Sequence, residues 1–162
     1  MMKKLFFSLM VLCLTVSCMA KDKNTGGSGY AKAPDFNLSD LSGKSVKLKS
    51  YKGKKVVLLV FGATWCPYCV KEVPELNELH EKMDKKKFEI LAVDIQESYE
   101  HVSKFVKAKG IKYRMLMDTD ASAATAYGVR GIPMSFLIDK KGYIKNAGNR
   151  LPSAEEIKKL LK

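Results

Sequence analysis

Residues 61–74 read FGATWCPYCVKEVP. Cys66 and Cys69 lie two residues apart, directly behind Trp65. Before them, Val56 to Phe61 is an unbroken apolar run, the pattern of a strand covered on both faces. After them, Pro67 suits the first position of a helix, where its missing N–H costs nothing. Val70, Val73, Leu76, Leu79 and Met83 then recur at helical spacing, predicting a helix down to Lys85 with a kink at Pro74. The cysteine pair therefore falls at a strand-to-helix turn.

Working outward, Phe36 to Leu48 holds two short alternating runs around Ser42-Gly43, a hairpin signal. Phe88 to Ile95 reads as a second apolar strand. Ser98 to Lys109 reads as a helix stopped by Gly110. Arg114 lies in a short strand, Tyr113 to Asp118, and residues 121–129 form a small helix closed by Gly128. The runs 134–139 and 142–148 pair around Lys140-Lys141-Gly142, and Pro152 opens a last helix, Ser153 to Leu161. These elements predict an α/β fold, a central mixed sheet flanked by helices with an N-terminal β-hairpin extension.

Length and composition narrow the rest. The 162 residues suit one domain with appendages, large enough to bury a core without disulfide staples. The four cysteines are Cys13, Cys18, Cys66 and Cys69, too few for a disulfide scaffold. Lys3 and Lys4 precede an apolar run, Leu5 to Val16, too short for a typical membrane span but suited to a signal peptide. Residues 14–18, LTVSC, resemble a bacterial lipobox with Cys18 as the lipidated residue, although Thr15 stands where a leucine is usual; the rival reading is cleavage after Ala20. Met19 lacks the aspartate that in some bacteria retains lipoproteins at the inner membrane. The expected organisation is a signal peptide over 1–18, a Gly- and Lys-rich tether over 19–33 and one domain over 34–162. The product is expected at the periplasmic or extracytoplasmic face. The chain is basic, with 29 Lys and Arg against 17 Asp and Glu. The lysines are scattered and no stacking aromatic array accompanies them, which argues against nucleic acid and for a solvated surface, with attraction to an acidic lipid surface as the second reading.

The cysteine pair has several readings. Structural zinc needs four ligands, and there is no second C-x-x-C pair; His80 and His101 are 21 residues apart on separate predicted helices. A cysteine hydrolase needs a histidine base, and His80 lies four turns beyond Cys66. A peroxidase of the peroxiredoxin type needs P-x-x-x-T-x-x-C, which residues 59–66, LVFGATWC, lack. A redox dithiol fits: a helix N-terminus stabilises a thiolate at Cys66, and Cys69 lies on the same helix face within disulfide reach. On this reading Cys66 is the exposed nucleophile and Cys69 the buried resolving thiol, with no cofactor beyond their own disulfide and no metal.

The set W-C-P-Y-C after an apolar strand, C-x-x-C-x-x-E-x-P through Pro74, and AYGVRGIPMSFLIDKKGYI at 126–144 resembles the thioredoxin superfamily, more narrowly its exported TlpA/ResA-like branch. The resemblance covers residues 34–162. It implies a cis Pro133 beside the dithiol, and a substrate surface formed by Trp65, Pro67, Tyr68, Ile132 and Pro133. Thioredoxins carry a buried aspartate where this chain has Val60. The resemblance implies that Glu72 supplies the missing carboxylate, and no other acid lies close in sequence. The Pro67-Tyr68 dipeptide matches glutaredoxin rather than this branch, and bears on redox poise. The resemblance further implies a monomer that reduces disulfides of exported proteins, apocytochrome c among them, and is recharged by a transmembrane thiol carrier of the DsbD/CcdA type. The alternatives are an oxidant that donates its disulfide, and a binding module without turnover.

Overall fold

A computed structural model describes residues 30–162. Cys18, the signal segment and most of the tether lie outside them. Seven strands and four helices follow in the order β1 (Asn37–Asp40), β2 (Ser45–Lys47), β3 (Val56–Gly62), α1 (Pro67–Lys82), β4 (Phe88–Ile95), α2 (Tyr99–Lys109), β5 (Arg114–Asp118), α3 (Ser122–Ala126), β6 (Met134–Ile138), β7 (Ile144–Gly148) and α4 (Ala154–Leu161). A 3₁₀ turn, Leu48–Tyr51, joins β2 to β3.

The strands form one mixed sheet in the order β2-β1-β5-β4-β3-β6-β7. β3, β4 and β5 are parallel; β1, β6 and β7 pair antiparallel to their neighbours. This is the mixed α/β sheet fold that the element pattern predicts, and the thioredoxin-like arrangement that the resemblance implies. β3 is apolar throughout because both its faces are covered. Val57, Leu59 and Phe61 meet Tyr127 and Phe136 on one side. The ring centroids of Phe61 and Tyr127 are 5.4 Å apart, and those of Tyr127 and Phe136 4.9 Å, a tilted aromatic cluster. Val56, Leu58 and Val60 meet Leu76 and Leu79 of α1 and Ile157 of α4 on the other. Gly62 ends the strand on this second face.

Local chemistry sets the helix ends. Ser98 caps α2 by accepting from the His101 N–H, and Gly110, at φ 61°, closes it in the left-handed conformation that glycine adopts freely. Ser153 and Glu156 form a reciprocal capping box at α4. α3 lacks a cap from its own N-cap residue; instead Asp118, at the end of β5, accepts from the N–H groups of Ala123 and Ala124 at 3.1 and 2.8 Å. Two boundaries differ from the sequence expectation. α1 ends at Lys82 rather than Lys85, because Met83 turns to extended backbone and the Asp84 carbonyl takes up the N–H groups of Lys87 and Phe88. Ordered contacts also start before Pro34. Lys32 bridges Tyr143, and Ala33 donates to the Gly142 carbonyl at 2.9 Å.

Candidate active site

Cys66 is the N-cap of α1, with φ −82° and ψ 112°, and Pro67 follows inside the helix. The Cys66 Sγ accepts the Cys69 N–H at 3.3 Å, so an unpaired donor of the first helical turn points at sulfur. On its other side the Cys66 Sγ lies 3.8 Å from the Ile132 carbonyl oxygen. The Ile132–Pro133 peptide is cis. The structure thus brings the G-I-P segment, 66 residues along the chain, onto the dithiol. Both cysteines are free thiols here.

One expectation is corrected. Cys66 is not exposed; it is 4 % exposed, and Cys69 is the more accessible of the two. The cause is the N-cap geometry, which turns the Cys66 side chain back over the helix start and beneath the Ile132 carbonyl. The exposed groups here are its neighbours, Trp65 at 70 % and Tyr68 at 68 %. Lys71 lies 5.5 Å from the Tyr68 ring centroid.

The chemical asymmetry of the pair does not follow this accessible area. Burial, then the hydrogen bond with Cys66, push the Cys69 thiol up to about 12. Cys69 faces the sheet, where an added Cβ on Gly62 would stand 3.2 Å from its Sγ; only glycine leaves the thiol this room. Beneath it is a cavity of about 50 Å³ whose walls include Gly62, Cys69, Glu72, Asp94, Phe105 and Tyr113. Glu72 is half-buried, its Oε2 meets no protein donor, and burial followed by the nearby Glu75 pushes its carboxyl up to about 7. Glu72 therefore stands where its spacing from Cys69 predicts.

Sequence reasoning missed Asp94. It pairs with Gly62 in register across β3 and β4, on the face that carries Val60 and Ala92. It is 2 % exposed, its Oδ1 has no protein donor, and burial followed by Glu97 pushes its carboxyl up to about 8. A signal was available: Asp94 is an acid inside the apolar run FEILAVDI, and of its two acids it is the one that is buried. Glu97, just beyond, accepts the Thr64 N–H at 2.6 Å and the Thr64 hydroxyl at 2.7 Å, which anchors the turn leading into Cys66. Burial opposes its ionisation, but those bonds hold Glu97 below the usual carboxylate range.

A dithiol at a helix N-terminus, faced by a cis X–Pro turn on this sheet, defines a thioredoxin-like thiol–disulfide oxidoreductase. The chain belongs to the AhpC/TSA family, whose sequence profile matches residues 30–147. It is 41 % identical over 129 residues to the thiol-disulfide oxidoreductase ResA of Geobacillus thermodenitrificans, covering 80 % of this chain and 74 % of that one. It is 38 % identical over 112 residues to ResA of Bacillus subtilis, covering 69 % and 62 %. Among solved structures, a thiol:disulfide interchange protein of the thioredoxin family from Chlorobium tepidum superposes with a TM-score of 0.72 at 28 % identity, over 85 % of this chain and all of that one.

Proposed function

We propose that this enzyme works as a reductant of disulfides in exported proteins, apocytochrome c being one candidate. On this reading the Cys18 lipid holds it at the outer face of a membrane, and a transmembrane thiol carrier of the DsbD/CcdA type recharges it. The observation that carries the reading is a half-buried carboxyl, Glu72, beside the thiol whose proton is hardest to remove, Cys69.

The steps follow from that placement. The Cys66 thiolate attacks one sulfur of a substrate disulfide. This forms a mixed disulfide and releases the other substrate sulfur as a thiolate. Cys66 is then no longer a thiol, so its share in raising Cys69 disappears. Cys69 gives its proton to Glu72 and attacks the Cys66 Sγ. The Cys66–Cys69 disulfide forms, the second substrate thiolate leaves and is protonated, and two electrons have passed to the substrate. Trp65 and Tyr68 offer exposed rings to the substrate, and the backbone of Ile132 beside Pro133 offers polar groups to an extended segment.

Direction is tested by turnover and potential. Insulin reduction with a dithiol donor is expected, with a dithiol potential below about −200 mV. A potential near about −120 mV would make the protein an oxidant. No turnover at all would make it a binding module. For the anchor, Cys18→Ala is expected to move the protein from the membrane to the soluble exported fraction, since two acyl chains suffice for stable attachment. Equal amounts of wild type and variant in the soluble fraction would reject lipidation.

A further inference from the structure

Two carboxyls line the cavity under Cys69, and only Glu72 has a place in the steps above. Asp94 faces the same space from the sheet. Each carries a buried oxygen that no protein donor reaches. Burying an acid without a cationic partner is costly, and an apolar side chain at the end of β4 would fill the site at no such cost. Among the described residues, no lysine or arginine lines this cavity. The titratable groups around Asp94 are Cys69 and Glu72 from α1, Tyr113 from the segment before β5, and Glu97 from the loop after β4. α2 contributes Phe105 to the wall and His101 behind Glu97.

These groups form a sequence from the interior outward. The cavity, at about 50 Å³, has room for water, which needs about two or more polar partners and finds them in the two carboxyls. Glu97 stands beside Asp94 and, after burial, is what raises its carboxyl, so a protonated Asp94 has Glu97 as its acceptor. Burial keeps that proton on Asp94, while the Thr64 bonds keep Glu97 an acceptor. Glu97 Oε1 lies 3.6 Å from His101 Nε2, and the His101 side chain is 64 % exposed. The half-buried Cys69 thiol is thus joined to solvent through carboxyls whose neighbours hold them ready to exchange one proton.

We propose that Asp94 is a positioning and relay residue for the resolving step: it takes the Cys69 proton from Glu72 across the cavity and passes its own to Glu97, from which it leaves by way of His101. One proton enters the chain at Cys69 and one leaves to solvent, with no net change on any carboxyl. The inference rests on the reading of Cys69 as the resolving thiol and Glu72 as its base. It adds a second acid from β4, where the loss of the thioredoxin aspartate at Val60 leaves the sheet side of the thiol without one.

The test uses the full chain and 5,5′-dithiobis(2-nitrobenzoate). Attack by Cys66 releases one coloured thiolate, and resolution by Cys69 releases a second, so the two phases separate nucleophilic attack from resolution. Asp94→Asn, nearly isosteric, is expected to leave the first phase unchanged and slow the second about fivefold or more, less than a direct acid–base group supplies. It should also flatten the rise of the second phase between pH 7 and 9, and Glu97→Gln should reproduce the flattening. A second phase within about twofold of wild type, with the same pH profile, overturns the proposal. So does slowing of both phases together, which would mark a merely structural role. If Glu72→Gln slows the second phase and Asp94→Asn does not, the relay fails and the base at Glu72 stands. If neither slows it, both readings fall.

Discussion

Cys69→Ala is expected to accumulate mixed disulfides with substrates, visible on a non-reducing gel, while Cys66→Ala accumulates none and both lose turnover. The Cys66 Sγ receives the Cys69 N–H at the N-terminus of α1, so it is the sulfur that the first helical turn holds in place for attack. Cys69 is pushed up to about 12 by burial and by Cys66 itself, so it remains a thiol until Cys66 is consumed. Removing Cys69 therefore stops the reaction after its first bond exchange and leaves the substrate attached. Removing Cys66 prevents that exchange. The accessible areas give the opposite ranking, since Cys66 is the more buried. The trapping pattern decides between them. Adducts on Cys69 alone, in Cys66→Ala, would show that access rather than the raised titration of Cys69 selects the nucleophile.

Glu72→Gln is expected to slow disulfide exchange about tenfold or more, within what general acid–base groups supply. The carboxyl lies at the cavity under Cys69, and burial followed by Glu75 places its titration at about 7. The resolving rate of the wild type should rise through about pH 7 as Glu72 ionises, and that inflection should vanish in Glu72→Gln. The stability effect has a definite sign. Glu72 holds its proton to higher pH when folded than its ordinary value of about 4.3. The folded state therefore binds more protons in between, and the wild type loses stability relative to the glutamine variant as pH rises through that window. Thermal denaturation at pH 5 and pH 8 reads this directly; a wild type that gains stability relative to the glutamine variant between those two pH values would contradict it. Unchanged kinetics would return Glu72 to a solvent-facing role.

Most elements were legible because their causes are local. Ser98 and Gly110 bracket α2, Ser153 and Glu156 start α4, and Gly128, at φ 64°, follows α3, all through groups within a few residues of one another. The apolar run of β3 announces a strand covered on both faces without naming what covers it. The end of α1 was misplaced by three residues because Met83 is apolar and buried whether or not it is helical. Periodicity reports the face a residue occupies, and Met83 keeps that face while its backbone turns extended.

By itself the sequence determined the dithiol, its position at a strand-to-helix turn, and Glu72 one helical turn beyond Cys69, because helix geometry converts a spacing of three residues into proximity. Tertiary structure alone decided the rest of the site. Asp94 shares a cavity with Cys69 only because β4 pairs with β3 in the register that sets Asp94 beside Gly62. The burial of Cys66 depends on Ile132, delivered by the antiparallel pairing of β6 with β3. Strand register is a balance of packing over the whole sheet, and a shift of one residue would turn Asp94 to the opposite face. No window of sequence around the cysteines contains that choice.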